Sequence, residues 1–320
     1  MTGPEPEPIA AKATARRMPT GTAAHTTAAT LCLVLVMLPA SAHALDADAP
    51  AALLQLINSH RVVAQRCNGV SLAAREPLRA VPVLAAAPAR PAGPGRGGLN
   101  ASLRAAGYAP ARSLAIDLSG PRDAGAAMRL LVARHCAALS SALYSDIGLA
   151  RNTDRWRVVL AEPLLSPTLG TAAEAGPRVL QLVNAARAVP RRCGQQRLPA
   201  APPLAWSAPL AAASLLHSRD MAARDTLSHV GADGSRAGQR ARRQGPAWRS
   251  VVENVAAGQG SAEQVVADWI ASPGHCVNLM RREFTQMGAA YVVEMRSSAV
   301  IYWTQVFGSP RSATPVPARG

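Results

Sequence analysis

Three side chains that could do chemistry together lie in the last third of the chain: His217, His229 and Glu253. An imidazole exchanges a proton near neutral pH, and a carboxylate can orient an imidazole or act as a general acid or base. Further along, His275 follows a Ser-Pro-Gly turn, and Tyr302 opens a mostly apolar run. Because turns join the elements that carry these five residues, we expect them to line one polar pocket.

The helix predicted over 208–224 decides where His217 points. Ser207 is its expected N-cap, and His217 shares an apolar face with Met221 at helical spacing. We therefore expect the imidazole to point inward, either as a hydrogen-bonded core histidine or as a pocket residue. Asp220 stands one turn away and is expected to hold the ring.

His229 and Glu253 occupy a loop and the end of a strand. His229 comes just before an Asp-Gly turn, after which Ser235 is expected to cap a helix over 236–244. Glu253 follows a short apolar, strand-like run, and a carboxylate buried there would need a partner. A nearby imidazole would be that partner, and an exposed salt bridge is the alternative.

The remaining elements of this region are two helices and a hairpin. Ser261 opens a capping box for a helix over 261–271, and His275 stands at the start of the next short helix. Residues 287–294 and 300–307 are predicted to form an antiparallel hairpin. Helices that alternate with these strands predict an α+β fold.

The chain also contains a diverged repeat. The segment LQLINSHRVVAQRC at 54–67 corresponds to LQLVNAARAVPRRC at 180–193, an offset of 126 residues. Two glycines further on match at an offset of 138 residues. The first copy is therefore shorter where the second carries His217 and His229, and it has Ala115 where the second has Glu253.

The repeat divides the chain and favours one disulfide pattern. An even number of cysteines in an exported chain predicts disulfides. One bridge inside each copy is the simplest symmetric pairing, although crossed pairings are symmetric as well. The four cysteines expected in the mature chain would then pair as Cys67–Cys136 and Cys193–Cys276.

The N-terminus has the order of a signal peptide. Two arginines precede a short apolar run over 31–38, and a small-x-small site follows at 42–44. Residues 1–44 are therefore predicted to be cleaved, with an uncleaved anchor as the alternative, and no transmembrane segment is expected in the mature chain. The other predicted divisions are a first domain at 45–165, a linker at 166–178, a second domain at 179–310 and a flexible tail at 311–320.

The charge is strongly basic but scattered. The formal net charge is +15, and Lys12 is the only lysine. No basic stripe is interleaved with aromatic residues, so we expect no nucleic-acid partner. Only one group of arginines is dense, and a solvated helix face explains it: Arg236, Arg240, Arg242 and Arg243.

Four motifs in order resemble the CAP domain, also called the SCP/PR-1-like domain, in its bacterial form. They are Ser-His at 228–229, Glu-Asn at 253–254, Ser-Pro-Gly-His at 272–275 and Tyr-Trp-Thr-Gln-Val-Phe at 302–307. The resemblance covers about residues 177–309. It implies a three-layer α-β-α sandwich, and it makes the first repeat a degenerate CAP-like domain that we expect to pack against the second.

The resemblance also implies site residues. In the family, the histidine and glutamate aligned with His229 and Glu253 line a shared cavity. The plant and animal members carry a histidine where this chain has Tyr302, and an acidic residue for which Asp268 is the nearest candidate. Val252 stands where the bacterial motif has glycine. These departures weaken the transfer of a four-residue site.

Three functions are compatible with this set. The first is a secreted or periplasmic binding module for a small ligand, a lipid or a cell-envelope component, without a cofactor. The second is a hydrolase in which Glu253 and His229 act as acid and base. The third is a Zn²⁺ site formed by His229, His275 and Glu253. The family resemblance supports this order, because CAP proteins are mostly secreted and few have an established catalytic activity.

Overall fold

The computed structural model of this chain describes residues 49–86, 98–245 and 247–311. The predicted signal peptide lies outside the described residues, as does the predicted tail beyond Arg311. Within the described ranges, no helix is long and apolar enough to cross a membrane.

The first half of the described chain builds a four-stranded sheet flanked by helices. The elements are α1 (Ala49–Arg61), β1 (Gln65–Cys67), β2 (Val70–Leu72), β3 (Arg79–Ala80), α2 (Pro82–Ala85), α3 (Leu99–Ala105), β4 (Pro110–Ser119), α4 (Ala124–Leu139), β5 (Asp146–Asn152) and β6 (Arg155–Pro163). The strand order in the sheet is β3-β5-β6-β4, in which only the β3–β5 pairing is parallel. A separate two-stranded ribbon pairs β1 with β2.

The second half builds a sheet of the same kind. The elements are α5 (Ala172–Arg187), β7 (Arg191–Cys193), β8 (Gln196–Leu198), β9 (Ala205–Trp206), α6 (Ala208–Arg224), α7 (Ala237–Gln244), β10 (Trp248–Ala257), α8 (Ala262–Ala271), α9 (Pro273–Met280), β11 (Gln286–Val293) and β12 (Ile301–Pro310). The strand order in this sheet is β9-β11-β12-β10, again with one parallel pairing, β9–β11. The mixed helix-and-sheet fold and the hairpin of β11 and β12 are confirmed.

Part of the segment 166–178, whose composition predicts a linker, is helical. Helix α5 begins at Ala172, because Thr171 and Glu174 form a capping box. The Thr171 side chain accepts from the Glu174 amide at 3.3 Å, and the Glu174 carboxylate accepts from the Thr171 amide at 2.7 Å. A reciprocal cap satisfies two otherwise free helix amides, which allows the helix to start before Pro177.

An asparagine makes the same bridge in both halves. Asn58 on α1 donates to the carbonyl of Leu78 at 3.1 Å and accepts from its amide at 2.8 Å. Asn184 on α5 makes the corresponding pair of bonds to Leu204, at 3.0 and 2.8 Å. Each bridge fixes the chain that leads into the short parallel strand against the first helix of its half.

A buried arginine forms a second shared clamp. Arg187 is 0% exposed, and its guanidinium donates to four backbone carbonyls, those of Pro202, Leu279, Arg281 and Phe284. Burial lowers the pKa of Arg187 to about 10. Arg61 is 3% exposed and makes the equivalent bonds, to the carbonyls of Glu76, Leu139, Ser141 and Tyr144. In each half the arginine ties the first helix to the end of the helical segment that precedes the central hairpin.

Both predicted disulfides are present. Cys67 bonds Cys136, and Cys193 bonds Cys276. Each bridge joins the ribbon of its half to a helix, β1 to α4 and β7 to α9. The crossed pairings that the repeat also allowed are therefore wrong.

The two halves differ most after their short parallel strands. Gly148 on β5 is so close to α2 that a Cβ would lie 2.3 Å from the backbone of Leu84 and Ala85. Gly288 on β11 is in the same situation, because a Cβ there would lie 2.0 Å from the amide nitrogen of Ala211. Helix α2 thus corresponds to the first turn of α6. It ends after 4 residues, whereas α6 continues for 17.

The hydrophobic cores of the two halves are separate. One set of buried clusters contains only residues from 53–161, and the other set contains only residues from 169–307. The expectation that the first half covers an apolar surface by packing on the second stays a prediction. A polar contact between the halves is the 3.3 Å hydrogen bond from Arg104 to the carbonyl of Ser298.

Candidate functional site

Glu253 is the centre of the polar cluster in the second half. It lies on β10 opposite Val306, and its side chain is only 2% exposed. The guanidinium of Arg240 on α7 contacts both carboxylate oxygens, at 2.9 and 2.7 Å. A buried carboxylate in this position is stable because the opposite charge and the hydrogen bonds compensate for its lost hydration.

Arg240 is the site residue that the sequence interpretation missed. It was assigned to a solvated face, but it is 7% exposed, because α7 packs on β10 through Arg240 and Ala241. Arg240 also donates to the carbonyl of His229 at 3.2 Å and to that of Ser235 at 2.5 Å. The missed signal was the need of a buried Glu253 for a cation on a neighbouring element.

His229 contacts Glu253 as predicted. Its Nδ1 lies 3.0 Å from Oε1 of Glu253, and its side chain is 55% exposed. Because a carboxylate paired with Arg240 accepts hydrogen bonds, Nδ1 is the donor. The contact orients the imidazole and leaves its Nε2 as the atom available to a ligand.

His217 lies under this pair and is fully buried. Its Nε2 is 2.7 Å from the carbonyl of Ser228 and 3.7 Å from Oε1 of Glu253. Burial lowers the pKa of His217, and the positive charge of Arg240 also acts in this direction, while the charge of Glu253 opposes it. The inward orientation of His217 is confirmed.

Asp220 does not hold the ring of His217. Its carboxylate lies 4.0 Å from Nδ1 of His217, which is too long for a hydrogen bond. Arg224 and the amide of Ala232 take up the carboxylate instead. Arg224, one helical turn further along α6, competes better because its guanidinium matches a carboxylate with two parallel bonds.

The loop between α6 and α7 differs from the prediction at its end. Ser235 does not cap α7, because the helix begins at Ala237 and the amide of Arg236 donates to the side chain of Gln239 at 2.9 Å. Ser235 is buried and contacts Arg240. The loop is thus fastened to the same arginine that pairs with Glu253.

His275 is positioned by Asn254, the neighbour of Glu253. The Asn254 side chain donates to the carbonyl of His275 at 3.2 Å and to Gln305 at 3.1 Å, and it accepts from Asn278 at 3.0 Å. This network holds the start of α9 against the strand. Burial lowers the pKa of His275, and the proximity of His229 lowers it further.

His229, Glu253 and His275 share a cleft of about 640 Å³. The cleft is in the size range of small-molecule sites. Neither His217 nor Tyr302 lines it, so the five predicted pocket residues do not form one pocket. The other lining residues are Cys193, Gln195, Gln196, Pro273, Gly274, Val277 and Asn278.

Tyr302 belongs to a different cluster. Its hydroxyl donates to Asp225 at 2.5 Å, and its ring packs with Met221. Burial, followed by this hydrogen bond, raises the pKa of Tyr302. Tyr302 faces Ala257 in the sheet, four pairs away from Glu253, which corresponds to roughly 13 Å along the strand. Asp268 is also outside the cleft, where it is exposed and accepts from Gln259 at 2.8 Å.

The first half has no carboxylate at the position that matches Glu253, and its buried carboxylate, Asp146, pairs with Arg79 and Tyr108 instead. Ala115 faces Val159 on β6, the residue that faces Gly148 on β5. Glu253 faces Val306, which in the same way faces the corresponding glycine of β11. Ala115 therefore occupies the register position of Glu253, as the repeat predicted.

The zinc hypothesis finds no ready-made site. In the described part of the chain, no three or more His, Cys, Asp or Glu side chains are grouped so that they could hold a metal ion. In addition, Nδ1 of His229 and Oε1 of Glu253 are already hydrogen-bonded to each other. A metal that took Glu253 as a ligand would have to displace this contact or those with Arg240, whereas Nε2 of His229 takes no part in them.

Comparison with known proteins assigns the second half. Residues 180–307 match the CAP family, described as the cysteine-rich secretory protein family, and this part of the chain is a CAP domain. The uncharacterized protein YkwD of Bacillus subtilis is 38% identical over 63 residues, which are 20% of this chain and 23% of that protein. This chain therefore matches less than a quarter of the length of that relative.

Solved structures give weaker likenesses. An extracellular protein containing an SCP domain from Bacillus anthracis is 20% identical with a TM-score of 0.36, covering 51% of this chain and 59% of its own. An outer surface protein from Borrelia burgdorferi is 15% identical with a TM-score of 0.33, covering 42% of this chain and 94% of its own.

Proposed function

We propose that residues 179–310 are an exported binding module whose cleft takes a small ligand, a lipid headgroup or another cell-envelope component. The observation that carries the proposal is the state of Glu253. Its carboxylate is buried and already holds Arg240 and His229. It therefore serves to fix the imidazole at the cleft, which is what recognition of a ligand requires.

His229 and His275 are the recognition groups in this proposal. Both line the cleft, and His229 presents a half-exposed ring whose Nδ1 is already occupied. Side-chain amides of Gln195, Gln196 and Asn278 add donors and acceptors along the same walls. Few fixed polar groups on a partly apolar surface are typical of binding clefts.

A hydrolase is the second candidate, and the His229–Glu253 contact favours it. A carboxylate bonded to Nδ1 leaves Nε2 as a base that could remove a proton from water. Against this function, the described residues that line the cleft include no serine or threonine, and Cys193 is in a disulfide. Water would have to be the nucleophile.

We further propose that residues 45–165 are a diverged CAP-like copy that lost this site. Ala115 in the register of Glu253 and the one-turn helix α2 support the idea. The asparagine bridge, the arginine clamp and the disulfide recur in both halves, and these contacts hold the fold. Export of the whole chain is part of the proposal and rests on the predicted signal peptide.

Titration of matched histidine variants tests the binding function. Soluble muropeptides, phosphatidylglycerol vesicles and Zn²⁺ would be titrated into the mature protein by calorimetry, with a chelator present in the first two series. We expect one of the two envelope probes to bind, and His229→Ala to weaken it at least tenfold. His135→Ala, at the repeat position of His275, is the control and should change nothing. Binding that survives His229→Ala, or a response to Zn²⁺ alone, contradicts the proposal.

Product analysis separates the hydrolase from the binding module. The same muropeptides would be incubated with wild-type protein and with Glu253→Gln, and fragments would be followed by mass spectrometry. The binding module predicts unchanged muropeptides with both proteins. Fragments formed by the wild type and lost in Glu253→Gln would establish the hydrolase instead.

A further inference from the structure

A second pocket lies next to the Glu253 cluster and shares no lining residue with the cleft. Its volume is about 210 Å³, and its walls come from α6, α7 and the loop between them. His217 and Arg240, both in contact with Glu253, reach it from inside. The proposed function makes no use of this pocket.

Two buried polar atoms of these residues have no hydrogen-bond partner. They are Nδ1 of His217, whose side chain is 0% exposed, and Nε of Arg240, whose side chain is 8% exposed. Buried polar atoms in folded proteins are nearly always bonded, so an unpartnered pair on one pocket indicates a missing partner. Both residues line this pocket, and a small shift of the two side chains would bring these enclosed atoms to a partner bound in it.

The two atoms demand opposite hydrogen-bonding behaviour. Nε2 of His217 faces the carbonyl of Ser228, which can only accept, so Nε2 carries a proton. Burial lowers the pKa of His217, which keeps the ring neutral and leaves Nδ1 as an acceptor. Nε of Arg240 is always a donor. The missing partner must therefore donate to one atom and accept from the other.

The charges around the pocket are balanced. Asp220 and Asp233 line it, and so do Arg240 and Arg243. Asp220 pairs with Arg224, and Asp233 pairs with Arg243 at 2.5 Å. An ammonium group in the pocket would be repelled by the positive charge of Arg240. A carboxylate or phosphate would be repelled by the lone pair of His217 and by both aspartates. A neutral ligand avoids both conflicts.

We propose that this pocket binds a sugar residue through its hydroxyl groups. A hydroxyl both donates and accepts, which suits the acceptor on His217 and the donor on Arg240. Leu216 and Ala232 give the apolar wall on which the C–H face of a sugar ring can rest. The volume suits one ring of a glycan, and the open rim allows a chain to continue outward.

A plug variant with a matched control tests this site. Ala232 is exposed on the loop, so Ala232→Trp should fill the pocket without disturbing the fold. Gly274→Trp is the control, because it lines the cleft and a Cβ there meets no atom within 4 Å. N-acetylglucosamine is the neutral probe, with glucosamine as the cationic and glucuronate as the anionic comparison. Binding would be followed through the ring-nitrogen resonances of His217 and by calorimetry.

We expect N-acetylglucosamine to shift the Nδ1 resonance of His217 and to bind at least tenfold more tightly than either charged sugar. Ala232→Trp should abolish this response, and Gly274→Trp should preserve it. Leu216→Asn, an exposed position on α6, should weaken binding severalfold with the fold intact. No response of His217 in the wild type means that water alone fills the pocket and overturns the proposal. Loss of binding only in Gly274→Trp places the sugar in the cleft and also overturns it.

Discussion

The two halves of the chain share the contacts that hold a fold and differ in the contacts that make a site. Asn58 and Asn184 bridge to equivalent backbone groups, and Arg61 and Arg187 each clamp four carbonyls. These interactions join side chain to backbone. They recur in both halves because they depend on chain path and hardly on neighbouring side chains.

The site depends on a segment that has no counterpart among the described residues of the first half. The later turns of α6 and the loop to α7 carry His217 and His229, and α2 of the first half stops after one turn. Glu253 would have been left as an unpaired buried charge without this segment, which is costly. Alanine at position 115 is consistent with that constraint.

Removal of a disulfide should lower the free energy of unfolding more than any other change. The loss should be equal in the two halves. The disulfides close loops with sequence separations of 69 and 83 residues. The chain-entropy relation gives roughly 4–5 kcal/mol for each. Double serine variants, Cys67→Ser with Cys136→Ser and Cys193→Ser with Cys276→Ser, would be compared by urea unfolding. A loss in one half only would show that the halves do not share a scaffold.

Removal of an arginine clamp should cause the next largest loss in the free energy of unfolding. Arg187→Met removes the donors of four carbonyls, and Arg61→Met does the same in the first half. We expect each to lower the free energy of unfolding by about 3–5 kcal/mol, because buried acceptors lose a charged partner. Calorimetric unfolding of both variants checks this value. A neutral result for Arg61→Met would mean that its clamp contributes nothing to the fold.

Substitutions at Glu253 and Ala115 should then differ in their effect on the free energy of unfolding. Glu253→Gln leaves Arg240 as a buried, uncompensated charge, and we expect a loss of about 2–4 kcal/mol. Ala115→Gln at the matching register should cost less than about 1 kcal/mol, as is usual for a partly exposed position. Equal losses in the two variants would contradict the inference that a buried charge pair occupies this register position in the second half alone.

The change of stability with pH should be the smallest of these effects. Burial lowers the pKa of His217 below its ordinary 6.5, so the unfolded chain binds a proton before the folded one does as the pH falls. The stability of the second half should thus be constant above about pH 6.5 and decrease below it. His217→Gln should flatten this slope when thermal unfolding is measured between pH 7.5 and 5, both of which are about one unit or more from that pKa. An unchanged slope would mean that other groups cause it.

The sequence predicted the elements well because their signals are local. The helix over 208–224, the hairpin of β11 and β12 and the disulfides follow from periodicity, turn residues and the repeat. The contact of His229 with Glu253 was also predicted, because a buried Glu253 needs a partner and because the family resemblance implies that both residues line one cavity. Arg240 was missed, because an arginine on a short polar helix gives no sign of which charge it meets across the fold.

Tyr302 and His217 failed as cleft residues for a geometric reason. Order along the chain does not give position along a strand, and Tyr302 lies four sheet pairs from Glu253. His217 does approach Glu253, but it faces a different pocket. Helix α5 begins within the predicted linker, because the Thr171–Glu174 cap outweighs a composition rich in glycine and proline.

Amide hydrogen exchange of the mature protein reports on ligand binding in both halves within one experiment. Exchange would be compared with and without the soluble muropeptides and phosphatidylglycerol vesicles used above. We expect one of these probes to slow exchange around 228–230 and 273–278, with no change around 113–117 and 133–138. Protection that arises in the first half alone, or in equal measure in both halves, would contradict the claim that only the second half carries the binding site.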